Sequence, residues 1–176
     1  MADRPILSDK TLFSSFPADH PYPAKDDPYQ AHLIEQYKVY VATSDNISDR
    51  RQEANSYFLA VNSALLAFVG YAIPKDTSTY LWLLGLAGMS LSYLWYRIVR
   101  SYRDLNAAKF LVIQAIEKRL PLRAFAAEWE ALGEGKNSKL YKPVTHVEVG
   151  VPWIFFLLHV FVVVRTLPWQ AIRAYL

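Results

Sequence analysis

The chain has 176 residues, of which 53% are hydrophobic and 15% aromatic, and it carries a net charge of +3. That length suits one compact unit better than two soluble domains, and the small charge argues against nucleic acid as a partner. Cysteine is absent, which excludes disulfides and cysteine-ligated zinc and leaves the redox compartment open.

Residues 1–27 form a Pro/Asp-rich segment without the apolar core of a signal peptide. Asp27 followed by Pro28 then reads as an N-cap and a first-turn proline, opening a helix over residues 28–54. Leu33, Tyr37, Tyr40, Ser44, Ile47, Arg51, Ala54 and Phe58 follow steps of four and three along it. Such a stripe packs on a neighbouring helix, with Ser44 and Arg51 as its polar interruptions.

The 21 residues between Glu53 and Lys75 carry no charge, and neither do the 20 between Asp76 and Arg97. At about 1.5 Å of rise per residue, each run is long enough for a hydrocarbon layer of roughly 30 Å. The expected spans are residues 55–74 and 77–96, joined by the short polar link "PKDTST" as an antiparallel hairpin. Nothing breaks a helix in "LWYRIVRSYRDLN", so the second span should continue as one helix through residues 97–120, ending at Pro121. Trp95 and Tyr96 would lie in the interfacial belt there, with Arg97 and Arg100 at the headgroups.

Folding the arms back about the link sets Asp49 opposite Arg103, Asp45 near Lys109 and Glu35 near Lys118. It also sets Asn55 near Arg97 and Asn62 near Ser90. Residues 121–148 hold a short amphipathic helix, with Phe125, Trp129 and Leu132 on one face, and then an irregular return to the membrane. A third span covers residues 149–168, with Arg165 snorkelling outward and Trp169 as an anchor, before a short outer tail over 169–176. A re-entrant segment is the alternative for this third stretch, whose uncharged core is only 16 residues long.

With the N-terminus in the cytosol, residues 1–54 and 97–148 hold 16 of the 19 Lys and Arg. That bias orients the protein N-terminus in and C-terminus out.

The same residues offer little chemistry. The four histidines have no metal-ligand spacing, "GEGKNS" lacks the strand and glycine spacing of a phosphate loop, and no serine sits in a nucleophile elbow. No catalytic residue, cofactor or metal is expected. His159 and Asn62 are set apart because each lies mid-span, where a polar group is costly. They either line a path between helices or subunits, or hydrogen-bond neighbouring helices together. Small residues recur at fourfold spacing at Ser56, Ala60 and Ala64 and at Gly88 and Ser92, which suits close helix packing.

Several ordered blocks carry a likeness. "YKVYVATSDNISDRRQEANSYFLAVNSALLAF", "SYRDLNAAKFLVIQAIEKRLP", "AEWEALGEGKN" and "YKPVTHVEVGVPWIF" resemble the RipA-type octameric membrane proteins of bacteria, over residues 35–160. The resembling blocks include Arg50, Arg51, Asn55, Arg97, Ser101, Tyr102, Arg103, Asn106, Lys109 and Glu117. The resemblance implies a homo-octamer in the bacterial cytoplasmic membrane and supplies no catalytic residues. The fold expected is an all-α integral membrane protein with three transmembrane helices, the first two forming a hairpin that extends into a cytosolic stalk. The expected partners are the lipid bilayer, other copies of the chain and an unidentified cytosolic protein. The expected function is a pore or membrane scaffold answering a cytosolic signal, with a membrane-anchored adaptor as the alternative.

Overall fold

The computed structural model describes residue 12 and residues 27–73, 80–135 and 145–169. Residues 1–11 and 13–26 of the Pro/Asp-rich start, the "PKDTST" link, residues 136–144 and the tail after Trp169 lie outside the described residues. Those described are helical, with no strand among them. Helix α1 spans Asp27–Ala72, α2 spans Leu81–Glu117, α3 spans Ala124–Ala131 and α4 spans Thr145–Thr166. A 3-10 turn at Gly133–Gly135 follows α3, where Gly133, Glu134 and Gly135 all take positive φ.

The chain divides into two compact units. Residues Met1–Ser48 and Asp104–Lys142 form one, and Asp49–Arg103 with Pro143–Leu176 form the other. Helices α1 and α2 contribute a segment to each.

In the first unit, the α1 and α2 segments run antiparallel. Tyr37 pairs with Glu117, Thr43 with Lys109 and Ser44 with Asn106, the second number falling as the first rises. Leu33, Ile113 and Ile116 are buried here, and Phe110 meets Phe125 of α3 edge to face at 5.8 Å. The polar interruption at Ser44 is resolved: its hydroxyl donates to Asn106 Oδ1 at 3.0 Å. Helix α2 ends at Glu117, three residues short of Leu120. Leu120 precedes Pro121, whose ring disfavours the helical backbone just before it. The chain tightens there, with Arg119 N–H on the Ile116 carbonyl and Leu120 N–H on that of Glu117.

In the second unit, α1 and α2 are again antiparallel, with Asn55 on Trp95 and Asn62 on Ser92, and α4 packs beside them. Phe58, Trp95 and Val99 form the apolar centre, joined by Leu91, Val151 and Phe155. The Phe58 and Trp95 rings stack at 6.1 Å, and Phe155 lies 5.9 Å from Trp95. Arg51, the second polar interruption of the α1 stripe, brings Nε to 3.6 Å from Glu148 Oε2 on α4. Helix α4 begins at Thr145, ahead of the expected third span, with Glu148 favouring the positive end of the dipole. It accommodates Pro152, which removes one backbone donor from the ladder.

Among the described residues one helix is long and apolar enough to cross a membrane, over Val147–Thr166, and only 17% of its apolar window is buried. The apolar halves of α1 and α2 fall short of the same mark. Asn55, Ser56, Asn62 and Ser63 dilute the first; Ser90, Ser92 and several tyrosines dilute the second. Bulky apolar side chains cover the outside of this unit, among them Tyr57, Phe68, Leu83, Leu94, Leu157 and Phe161. Water does not tolerate so continuous an apolar surface; lipid or other protein does.

Candidate functional site

Asn62 and His159, the two polar residues set deep in apolar sequence, meet each other. Asn62 lies on the inward stripe of α1, one turn beyond Phe58. Its Nδ2 donates to the Phe58 carbonyl at 2.8 Å, which fixes Oδ1 as the acceptor pointing at the neighbours. Ser92 of α2 donates to that oxygen at 2.9 Å, and His159 Nε2 of α4 lies 3.1 Å from it. One amide oxygen therefore joins three helices. Because Oδ1 only accepts, His159 must carry its proton on Nε2. Asn62 and His159 are fully buried and Ser92 is 1% exposed. His159 Nδ1 is buried without a hydrogen-bond partner.

Glycines let His159 in. A Cβ added at Gly88 would run into the imidazole ring, and one at Gly85 would meet Val163 Cγ2 at 2.6 Å. The Gly88–Ser92 spacing thus serves close approach of α2 and α4 within one copy. On α1, by contrast, Ser56, Ala60 and Ala64 face outward.

Trp95 takes a different place from the one expected. It is 2% exposed and donates through Nε1 to Asn55 Oδ1 at 2.8 Å, so it faces inward rather than lying in an interfacial belt. Asn55 and Asn62 lie on the inward stripe of α1, opposite the inward stripe of Ser92, Trp95 and Val99. Ser90 and Arg97, the neighbours expected for them, point outward instead: Ser90 donates to the Leu86 carbonyl on its own helix. Tyr96 is half-buried against Trp153 at 5.2 Å and accepts from Arg100 Nη1 at 2.9 Å. Arg97 reaches Tyr93 at 3.5 Å, and Trp169 donates to the Val164 carbonyl at 2.9 Å.

Two of the three charged pairs expected between the hairpin arms are arranged otherwise. Lys109 Nζ donates to Thr43 at 2.8 Å and sits 4.4 Å above the Tyr40 ring, while Asp45, two residues on, is exposed. Glu35 bonds Lys38 on its own helix at 2.8 Å, and Lys118 is exposed beyond the end of α2. Asp49 is exposed and Arg103 half-buried.

Glu117, at the end of the apolar stripe of α2, is fully buried. Its Oε1 accepts from Tyr37 OH and from Phe125 N–H, each at 3.0 Å, and Oε2 accepts from Ala126 N–H at 3.1 Å. Helix α3 has no side-chain cap of its own at Arg123, so this distant carboxylate satisfies its first amides. Burial, the bond to Glu117 and the nearby negative charge together push the Tyr37 phenol up to about 12. The signal for Glu117 in the sequence was its place one turn after Ile113, a charge on an apolar stripe.

Among the described residues no cluster of His, Cys, Asp and Glu has the makings of a metal site. The node joins helices; it shows no pairing of nucleophile and base. The sequence model of the octameric membrane protein family (8xMP) matches residues 34–168, for the family as a whole rather than for a RipA-type branch. No curated protein and no solved structure matches the chain.

Proposed function

The chain belongs to the octameric membrane protein family, and from that premise we propose a non-enzymatic membrane scaffold that assembles from eight copies. Each copy crosses the bacterial cytoplasmic membrane three times, at residues 55–74, 77–96 and 149–168, with its N-terminus and most polar residues in the cytosol. The carrying observation is the node at Asn62, Ser92 and His159, enclosed by a unit whose outside is bulky and apolar. Three helices tied through polar contacts at their centre, with bulky apolar side chains outward, support the membrane reading.

Because that node is closed within one copy, Asn62 and His159 act as interhelical ties, and any conducting path runs between copies. A pore at the axis of the ring, opened by a cytosolic signal, is the activity this arrangement offers. Purified protein in liposomes tests it: ion flux that rises with protein and survives His159→Ala is expected. Silence across pH and voltage, from protein shown to be octameric, removes the pore and leaves the scaffold.

An adaptor role is favoured by one observation. Leu122 is 72% exposed and Trp129 41% exposed around α3, which Glu117 holds at the end of the hairpin. Capture of a cytosolic protein by the full-length chain, lost with Trp129→Ala, would support it.

A further inference from the structure

The outward face of α2 in the unit formed by Met1–Ser48 and Asp104–Lys142 lacks the charge expected of a helix in water. Leu105 is 48% exposed and Leu111 41%, with Ala108 exposed between them. Val112 and Ala115 continue the line, half-buried. Two charged residues lie between Asp104 and Lys118, and both turn inward: Lys109 to Thr43 and Tyr40, Glu117 to Tyr37 and α3. Over the same unit α1 interleaves charge with its exposed apolar residues, Glu35, Lys38 and Asp45 alternating with Ile34 and Val39. The uninterrupted uncharged face therefore belongs to α2, on a segment outside the proposed spans, where lipid is not available to cover it.

We propose that this α2 face, Leu105 with Ala108, Leu111, Val112 and Ala115, is a contact by which one copy of the chain docks on the next. The occupant follows from the family. Octameric assembly is what its members share, and the match runs over residues 34–168, which includes the whole face. The spacing suits a helix as the occupant. Leu105, Ala108, Val112 and Ala115 advance by three, four and three, so the alanines admit a close backbone while the larger residues flank it. In a closed ring each contact joins different surfaces of two neighbours, so the α2 face meets another part of the adjacent copy. Changing it alters every contact in the ring at once.

The inference rests on the octameric reading, and native mass spectrometry of the full-length protein in detergent separates the two. Wild type is expected as an octamer; a monomer there would sink the family-based reading itself. With wild type octameric, Ala108→Glu and Leu105→Lys are each expected to lower the octamer share at least tenfold, with helix content unchanged by circular dichroism. Val39→Glu, on the 63% exposed side chain of α1, should leave it intact. Octamers persisting in both α2 variants would overturn the assignment of this face while sparing the octamer. A photo-crosslinking residue at position 105 covers the case where a charged variant fails to fold. Bonds between copies are expected, whereas bonds only to residues 1–26 of the same chain, only to lipid, or none at all would refute the contact.

Discussion

Asn62 shows how far single residues govern this fold. Its oxygen serves Ser92 and His159 at once, so Asn62→Ala leaves two buried donors without an acceptor. An interhelical bond in a membrane contributes about 0.6 kcal/mol on average, and stranding two donors should cost about 1–2 kcal/mol. Thermal unfolding in detergent measures it, with Ser63→Ala on the exposed side of α1 as the control. Gly88→Ala should lower stability by about 1–3 kcal/mol, because the added methyl must displace the His159 ring. No change in its melting temperature would mean that α2 and α4 separate freely. Tyr37 gives a dependence on pH. Its phenol is neutral in both folded and unfolded chains below pH 10.0, so its contribution is complete there. It is lost as pH rises from 10.0 to the folded value of about 12, because the unfolded chain releases its phenol proton first while Glu117 and burial hold the folded phenol neutral. Tyr37→Phe should flatten that alkaline loss in a denaturation series. Mid-span position was enough to single out Asn62 and His159 from sequence. Their meeting was not legible, because it depends on which side chains of facing helices share a level. Trp95 was misplaced for a related reason: an aromatic beside arginines suits an interface, but its helical angle turns it to Phe58.

The helices themselves were the most readable feature. A stripe at steps of three and four from Leu33 to Phe58 packs inward, and its polar members find partners in Asn106 and Glu148. Charge matching between the arms misled, since exposed carboxylates have little hold on register. Lys109 preferred a hydroxyl and a ring on its own level. The end of α2 depends on Pro121, but the cap it supplies to α3 was hidden, because the capping group lies in another helix. Glu117→Gln keeps the shape and replaces one acceptor oxygen with a donor. It should weaken the hold on α3 by about 1.5–3 kcal/mol, the usual worth of a hydrogen bond to a charge. Hydrogen exchange at Phe125 and Ala126 should then quicken by about tenfold or more, with the amides of α4 unchanged. Equal exchange in both proteins would show that α3 is held by Phe125 packing alone.

For the whole molecule, family and helical class were recoverable from ordered blocks and hydropathy, while the number of spans rests on two diluted segments. The dilution has a physical source. Asn55, Asn62 and Ser92 lower the apolar average, yet each pairs with a neighbouring helix, whereas Ser56, Ser63 and Ser90 do so from the outward face. Hydropathy averages all faces of a helix and does not separate the two cases. Since cysteine is absent from the chain, single introduced thiols can test the orientation. A cysteine at Ser101 should react with a membrane-impermeant maleimide only in inverted vesicles, and one at Arg173 only in intact spheroplasts. The reverse pattern would invert the orientation.

The carboxylate of Glu117 also sets an order of events. An eight-residue helix is too short to nucleate stably by itself, and α3 has no cap within its own turn. Its first amides wait on Glu117, whose carboxylate is steadied by Tyr37 of the opposite arm. Both groups precede α3 along the chain, so a polypeptide emerging from the ribosome presents the finished acceptor before residues 124–131 arrive. Helix α3 is thus expected to form after α1 and α2 have paired, and to melt ahead of them on heating.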